Sequence, residues 1–165
     1  MALFKPYYFI NSLSDLSAEV VNRNNIKLIL LDIDDTLVRR KDENIDNQTL
    51  SWIKTMQENN LKLFLVSNNF CKRVKNFSTQ TGLPFVCLSG KPLPFGFIYA
   101  LIKTHTKRKN TLIIGDQIFT DVLGANLIGI KSVLVEPKST SKKIFMRFKR
   151  LLESLIKSKL LKNKF

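Results

Sequence analysis

Five short apolar runs alternate with amphipathic segments along this chain, and that alternation constrains its fold more than any other feature. The runs are 26–31, 61–66, 85–88, 112–114 and 132–135, and the segments between them are 47–59, 71–81, 92–106 and 118–128. Runs this short are typical of buried strands, and the segments have the periodicity of helices. Because parallel strands need crossover connections, the pattern predicts a doubly wound, Rossmann-like α/β domain with about five parallel strands and helices on both faces.

Polar residues of unusual type follow the apolar runs. They are Asp32 and Asp34 after the first run, Ser67 and Asn68 after the second, Lys91 after the third, and Gly115 and Asp116 after the fourth. Ligands of such sheets bind at the carboxyl ends of the strands. The placement therefore favours one shared active site over independent caps and turns.

Three carboxylates, those of Asp32, Asp34 and Asp35, stand together at the exit of a buried run. Their mutual repulsion would raise their pKa values unless a cation were present. Magnesium takes oxygen ligands and is typically held by one or two carboxylates plus a substrate phosphate. Asp32 and Asp116 are the candidate side-chain ligands.

The spacing of Asp32 and Asp34 suggests a division of labour. Alternation along an extended strand places both on one face. One carboxylate could attack phosphorus while the other protonates the leaving oxygen and later activates water. Lys91 would neutralise phosphoryl oxygens, and Ser67 would donate further hydrogen bonds to the phosphate.

These residues resemble the four motifs of the haloacid dehalogenase (HAD) superfamily of phosphatases. In order they are Asp32-Ile-Asp34-Asp-Thr36, Ser67, Lys91 and Gly115-Asp116-Gln-Ile-Phe-Thr-Asp121. The resemblance implies that Asp32 is the nucleophile and Asp34 the general acid/base. It implies Mg²⁺ held by Asp32, the main-chain carbonyl of Asp34 and Asp116, with Thr36 and Asp121 in support. Ser67, Asn68 and Lys91 would bind the phosphate.

Longer strings narrow the resemblance to one branch. Residues 66–69 (Val-Ser-Asn-Asn), 90–94 (Gly-Lys-Pro-Leu-Pro) and 115–126 resemble the YqeG-type phosphatases of subfamily IIIA. Ala125 stands where that branch often has Gly. The branch is similar to phosphatidylglycerophosphate phosphatases, which implies a lipid phosphate monoester as substrate.

Taken singly, several of these residues have structural explanations. Asp34 and Asp35 could form a turn, Lys91 could be a solvated residue before Pro92, and Asp121 could be a first-turn acid favoured by the helix dipole. Asn68 and Asn69 could bond the loop after the second run or only shape its turn. We expect His105 to be a surface residue and Trp52 to pack in the core.

The spacing of the motifs leaves no room for a cap domain. Only 34 residues lie between Asp32 and Ser67, and 23 between Ser67 and Lys91. The predicted strands and helices use most of them. An uncapped site is open and suits a phosphate carried on a large molecule such as a lipid, a nucleic-acid end or a protein.

The chain is strongly basic, with 27 Lys+Arg against 13 Asp+Glu and a formal charge of +14. This favours anionic partners such as an anionic membrane surface, phosphorylated substrates or, less strongly, nucleic acid. We expect a phosphatase core at 1–138 and, in the same domain, a basic amphipathic helix at 139–165. Within it, 141–165 carries nine Lys+Arg and one Glu. That helix could lie on a membrane or pack on the sheet.

Other features bear on localisation. Phe4, Tyr7, Tyr8 and Phe9 form an aromatic N-terminus that favours the membrane. No run approaches the ~18–20 apolar residues of a membrane span. Cys71 and Cys87 are expected to be free thiols, which suits a reducing compartment. The prediction is a cytoplasmic protein, peripheral on the inner face of the membrane.

Three hypotheses of function follow. The first is a Mg²⁺-dependent phosphatase that converts phosphatidylglycerophosphate to phosphatidylglycerol through an aspartyl-phosphate. The second is the same chemistry on a nucleic-acid end, a phosphoprotein or a small phosphorylated metabolite. The third is a non-enzymatic binding module, which the intact pair Asp32 and Asp34 disfavours.

Overall fold

A computed structural model describes residues 2–139. Their centre is one parallel sheet of six strands in the order β1-β6-β5-β2-β3-β4. The strands are β1 (Tyr8–Ile10), β2 (Leu28–Leu31), β3 (Lys62–Val66), β4 (Phe85–Val86), β5 (Thr111–Gly115) and β6 (Lys131–Val135). The predicted parallel α/β fold is confirmed.

Helices cover both faces of the sheet, as predicted. They are α1 (Ala18–Arg23), α2 (Asn47–Glu58), α3 (Cys71–Thr81), α4 (Phe95–Thr104) and α5 (Leu123–Leu127), with a π-helical turn at Ile118–Val122 and 3₁₀ turns at Ala2–Phe4, Leu13–Asp15 and Arg108–Asn110. Successive residues of a strand point to opposite faces of the sheet. Ile29 and Leu31 join the cluster that packs on α1, α2 and α3, whereas Leu28 and Leu30 join the cluster that packs on α4 and α5.

Strand β1 is the one strand that the alternation of apolar runs misses. It is three residues long and pairs with β6 at the edge of the sheet. Tyr8 and Phe9 are half-buried there and pack on two of the apolar clusters. Part of the aromatic N-terminus therefore forms the edge strand of the sheet, whereas Phe4 and Tyr7 stay about 40% exposed.

Within residues 2–139, short connections leave the carboxyl edge of the sheet open. Between β2 and β3 the described chain has a loop and α2, and between β3 and β4 it has α3. Neither connection contains a further folded unit, in line with the prediction of an uncapped site.

The prediction of two free thiols is wrong. Cys71 and Cys87 form a disulfide, with Cα atoms 5.0 Å apart. Cys71 begins α3 and Cys87 directly follows β4, so the return of the chain from α3 to β4 brings them together. Because the two cysteines are 16 residues apart, the sequence alone does not show that they meet. The presence of free thiols therefore no longer supports a reducing compartment.

Two predictions remain, one about the C-terminal segment and one about membrane spans. The basic helix predicted at 139–165 falls, apart from Ser139, outside the described residues. Within residues 2–139, no helix has both the length and the apolar character needed to cross a bilayer.

Candidate active site

The four predicted motifs converge at the carboxyl edge of the sheet. Asp32 follows β2, Ser67 follows β3, Lys91 lies in the connection after β4, and Asp116 follows β5. The middle strands β5, β2 and β3 are adjacent and parallel, so their ends meet at one place. Side chains that are distant in sequence thus share one cleft.

A buried lysine links two carboxylates in the floor of this cleft. Lys91 Nζ donates to Asp32 Oδ1 at 2.6 Å and to Asp121 Oδ1 at 2.7 Å. Burial lowers the pKa of Lys91, but the charges of Asp121 and Asp32 outweigh it and raise that pKa above its ordinary value. Lys91 therefore stays a cation, and the alternative of a solvated surface lysine is excluded.

Glycine at position 115 makes room for this arrangement. A Cβ there would lie 2.3 Å from Cγ of Asp121. The carboxylate of Asp121 passes directly over the end of β5, and its Oδ2 accepts from the main-chain N–H of Gln117 at 3.2 Å. The π-helical turn that carries Asp121 is thereby fastened to the loop that carries Asp116.

Asp116 is the least satisfied carboxylate of the site. Its Oδ1 is buried without a hydrogen-bond partner among the described residues. Burial, followed by the charges of Asp32 and Asp121, raises its pKa to about 8. Buried polar atoms are normally paired, so an orphan oxygen of this kind points to a missing ligand.

The acidic cluster fits a divalent cation. Oxygen atoms of Asp32, Asp116 and Asp121 lie within 4.8 Å of one another. Burial raises the pKa of Asp32 to about 7, and although Lys91 opposes this, Asp121 and Asp34 add to it. Carboxylate oxygens are the ligands that Mg²⁺ prefers. This set of carboxylates therefore suits a divalent cation.

Asp34 is held separately, by two residues that the sequence interpretation gave no role at the site. Asn69 Nδ2 donates to Asp34 Oδ2 at 2.9 Å. Arg73 donates to Asp34 Oδ1 through Nε at 3.1 Å and Nη2 at 2.7 Å. No helical spacing links the two, because Asn69 lies in the loop before α3, which begins at Cys71, whereas Arg73 lies within that helix.

The segment after β3 forms a bonded turn. The main-chain N–H of Asn69 donates to Ser67 Oγ at 3.1 Å. Asn68 Nδ2 donates to the carbonyl of Lys91 at 2.8 Å, and its Oδ1 accepts from the main-chain N–H of Lys91 at 2.8 Å and from Ser89 Oγ at 2.8 Å. The Asn68 side chain thus holds Lys91 in place, so a phosphate contact from Asn68 would have to come from its main chain.

Asp35 and Thr36 complete the first motif in different ways. Asp35 has φ of 63° and turns its carboxylate away from the cleft, towards the main chain of Arg40 and the hydroxyl of Ser139. The turn alternative is therefore correct for Asp35. Thr36 Oγ1 donates a long bond of 3.4 Å to Asp32 Oδ2.

The cleft itself is open and has room for about 310 Å³. Apart from Phe70, the residues that line it are polar or charged: Asp32, Asp34, Arg40, Ser67, Asn68, Asn69, Lys91, Gln117 and Thr120. His105 is exposed at the end of α4, far along that helix from the cleft, as expected. Trp52 is buried, also as expected, and donates to the carbonyl of Leu16.

A comparison with known protein families shows the family to which this chain belongs. A family model described as "Mitochondrial PGP phosphatase" matches residues 1–138. The chain belongs to this family. A relative from Bacillus subtilis (strain 168), "Probable phosphatase YqeG", is 36% identical over 157 residues, 95% of this chain and 91% of the relative.

A second relative of this chain comes from Saccharomyces cerevisiae (strain ATCC 204508 / S288c). "Phosphatidylglycerophosphatase GEP4, mitochondrial" is 28% identical over 148 residues, 81% of this chain and 78% of that protein. These matches and the fold make the chain a phosphatase of the HAD superfamily, YqeG/PGP type.

Solved structures agree on the fold. Cobalt-bound deoxy-D-mannose-octulosonate 8-phosphate phosphatase (YrbI) from Haemophilus influenzae superposes with a TM-score of 0.58 at 14% identity, covering 76% of this chain and 75% of that one. The hypothetical protein XCC2798 from Xanthomonas campestris gives a TM-score of 0.59 at 15% identity, covering 82% and 78%. At these identities the likeness extends to the HAD fold alone.

Proposed function

We propose that this phosphatase is Mg²⁺-dependent, works through an aspartyl-phosphate on Asp32, and removes the terminal phosphate of phosphatidylglycerophosphate at a membrane surface. The observation that carries the chemistry is the close group of Asp32, Asp116 and Asp121, of which the buried Asp32 and Asp121 both pair with the cation of Lys91. The substrate is supported by the family match over residues 1–138.

Asp32 is the proposed nucleophile. One of its oxygens attacks phosphorus, and the bond from phosphorus to the leaving oxygen breaks as the acyl-phosphate forms. Lys91 holds Oδ1 of Asp32 at 2.6 Å and provides a fixed positive charge at the reacting centre. Because that charge is buried and already oriented, it does not have to reorganise during the reaction.

Asp34 is the proposed general acid and base. It gives a proton to the leaving alcohol in the first step. In the second step it takes a proton from water as the water oxygen attacks phosphorus, which breaks the bond to Asp32 and releases inorganic phosphate. Asn69 and Arg73 orient its carboxylate towards the cleft.

The metal would be held by Asp32, Asp116 and the main-chain carbonyl of Asp34. Bound Mg²⁺ would favour the ionised form of Asp32 and neutralise the phosphoryl oxygens. Ser67, the main chain of Asn68 and the ammonium of Lys91 would hold the phosphate. We propose a single domain that comprises a phosphatase core at 1–138 and a basic amphipathic helix at 139–165.

The test is phosphate release by the full chain from phosphatidylglycerophosphate in phosphatidylcholine vesicles with Mg²⁺, beside p-nitrophenyl phosphate, a sugar phosphate and a 5′-phosphorylated oligonucleotide. We expect the lipid to be cleaved with the highest kcat/KM, and chelation of the metal or Asp32→Asn to abolish release. A higher kcat/KM for p-nitrophenyl phosphate or the sugar phosphate than for the lipid would refute the assignment of phosphatidylglycerophosphate as the substrate.

A nucleic-acid end is the second candidate, because a formal charge of +14 also suits a polyanion. Preferential cleavage of the oligonucleotide, together with salt-sensitive binding to it, would favour that substrate over the lipid.

A further inference from the structure

Large apolar side chains are exposed around the mouth of the cleft. Phe70 is 75% exposed, Phe95 68%, Phe119 67%, Leu88 61% and Leu93 55%. Single exposed apolar residues are ordinary on a soluble protein, but a contiguous group marks an interaction surface. We call these five residues the apolar rim.

The five residues belong to neighbouring segments at one edge of the sheet. Phe70 lines the cleft, and the main-chain N–H of Leu88 bonds to the carbonyl of Asn69 beside it. On the opposite wall, Phe119 lies between the lining residues Gln117 and Thr120. The apolar rim therefore flanks the opening to Asp32 on more than one side.

The connection between β4 and α4 joins these two walls. It carries Leu93 and leads into Phe95, the first residue of α4, and a Cβ at Gly124 would lie 2.9 Å from the carbonyl oxygen of Pro92. The segment after β5 thus packs closely against this connection. Phe4 extends the rim, with its ring 5.6 Å from that of Phe119.

The opposite edge of the sheet has a different surface. The loops at 24–27, 59–61 and 105–110 precede β2, β3 and β5, and within the described chain none of the exposed large apolar residues falls in them. Their side chains are mainly Asn, Lys and Arg. These three loops therefore lack exposed large apolar side chains of the kind found beside the cleft, whereas Tyr7 before β1, Leu127 before β6 and Ile102 near the end of α4 are exposed apolar residues outside the rim.

Positive charge lies beside the apolar rim. Lys72 is exposed two residues from Phe70, and Arg40 lines the cleft with a side chain that is 65% exposed and whose Nε lies 3.5 Å from Asp35 Oδ2. Apolar groups next to cations, on a chain of formal charge +14, complement an anionic lipid surface. A protein partner would not account for this charge as directly.

We propose that the apolar rim is the surface by which this protein docks on an anionic bilayer, with the cleft facing the lipid headgroups. This rests on the proposed function, since it explains how an open site would reach a phosphate held at the bilayer surface. Phe70, Leu88, Leu93, Phe95 and Phe119 enter the interfacial region, and Arg40 and Lys72 meet anionic headgroups.

The test compares the full chain with Phe95→Ser/Phe119→Ser and with Ile102→Ser. Ile102 is a matched control, because it is 66% exposed but lies near the far end of α4. We expect sedimentation with phosphatidylglycerol/phosphatidylcholine vesicles to weaken about ten-fold or more in the double variant and to stay unchanged in Ile102→Ser. Equal vesicle binding by all three proteins would overturn the proposal.

Hydrolysis separates this proposal from the proposed function. All three proteins should cleave p-nitrophenyl phosphate at the same rate, whereas the double variant should lose turnover of vesicle-bound phosphatidylglycerophosphate. If that lipid is not cleaved even in detergent but vesicle binding depends on the rim, the substrate is wrong and the docking surface stands. If the lipid is cleaved in detergent but rim changes leave vesicle binding intact, the docking surface is wrong.

A second measurement does not depend on the double variant folding. Phe95→Trp places a fluorophore on the apolar rim, and Ile102→Trp places one away from it. In both variants the buried Trp52 contributes a constant background emission. We expect vesicles to shift the emission of Phe95→Trp to the blue and leave that of Ile102→Trp unchanged. Equal shifts, no shift in either, or a shift only on adding another protein would overturn docking on lipid.

Discussion

Asp32 and Asp34 are two residues apart in the sequence, but their carboxylates are held in different ways. Asp32 is buried and paired with Lys91, whose side chain is 2% exposed. Asp34 is 15% exposed and is held by Arg73 and Asn69 from the start of α3. The proposed nucleophile is thus part of the folded core, whereas the proposed acid/base is held by residues beside the cleft. Substitutions around Asp32 should therefore lower both stability and turnover, and substitutions around Asp34 should lower mainly turnover.

Removing the cation that pairs with Asp32 should cause the largest loss of stability. Lys91→Met leaves Asp32 and Asp121 buried without their partner, and breaking a buried pair costs about 3–5 kcal/mol of unfolding free energy. We expect turnover to fall by about 10²–10³-fold as well. Urea unfolding and p-nitrophenyl phosphate hydrolysis measure the two losses. Lys54→Met, which breaks an exposed pair on α2, should change neither by much.

On the cleft wall, activity and stability should separate. Asp34→Asn keeps an oxygen that can accept from Arg73, so the free energy of unfolding should change by about 1 kcal/mol or less. Loss of the acid/base should lower kcat by about 10²–10⁴-fold. A stability loss as large as that of Lys91→Met would contradict the contrast between the two carboxylates.

A smaller effect is expected from the residue that orients Asp34. Arg73→Ala removes two of the hydrogen bonds to Asp34 and leaves the one from Asn69. We expect kcat to fall by about ten-fold with little change in KM, since positioning errors act on the reacting geometry. Lys75→Ala, an exposed change on the same helix, is the control and should retain full kcat.

The smallest effect concerns pH and metal. The pKa values of Asp32 (about 7) and Asp116 (about 8) are raised by burial, so without metal the folded state keeps protons that the unfolded state loses near pH 4. Metal-free stability should therefore fall as pH rises from about 4 to 8. Mg²⁺ should raise Tm more at pH 8 than at pH 5, on the order of a few degrees. Asp116→Asn should reduce this difference.

Residues near strand ends were accessible to prediction from sequence. The apolar runs that became β2, β3, β5 and β6 are buried on both faces and are hard to mistake. Parallel strands align their carboxyl ends, so Asp32, Ser67, Lys91 and Asp116 had to converge. The branch resemblance was confirmed by the family match.

Other features depend on tertiary placement that periodicity does not encode. Arg73 meets Asp34 only because α3 begins over the first motif, and Cys71 meets Cys87 only because α3 leads back to β4. Strand β1 is three residues long, too short for a period to be recognised. The anchoring of Lys91 by Asn68 is likewise a contact between two loops.

The most direct test of the account is to find where phosphate is attached during turnover. The full chain with Mg²⁺ is mixed with a ³²P-labelled phosphomonoester, quenched in acid within milliseconds, digested, and mapped by mass spectrometry. We predict an acid-stable, hydroxylamine-sensitive label on the peptide that contains Asp32, and none in Asp32→Asn. A label on another residue, or turnover by Asp32→Asn at the wild-type rate, would contradict the assignment of Asp32 as nucleophile.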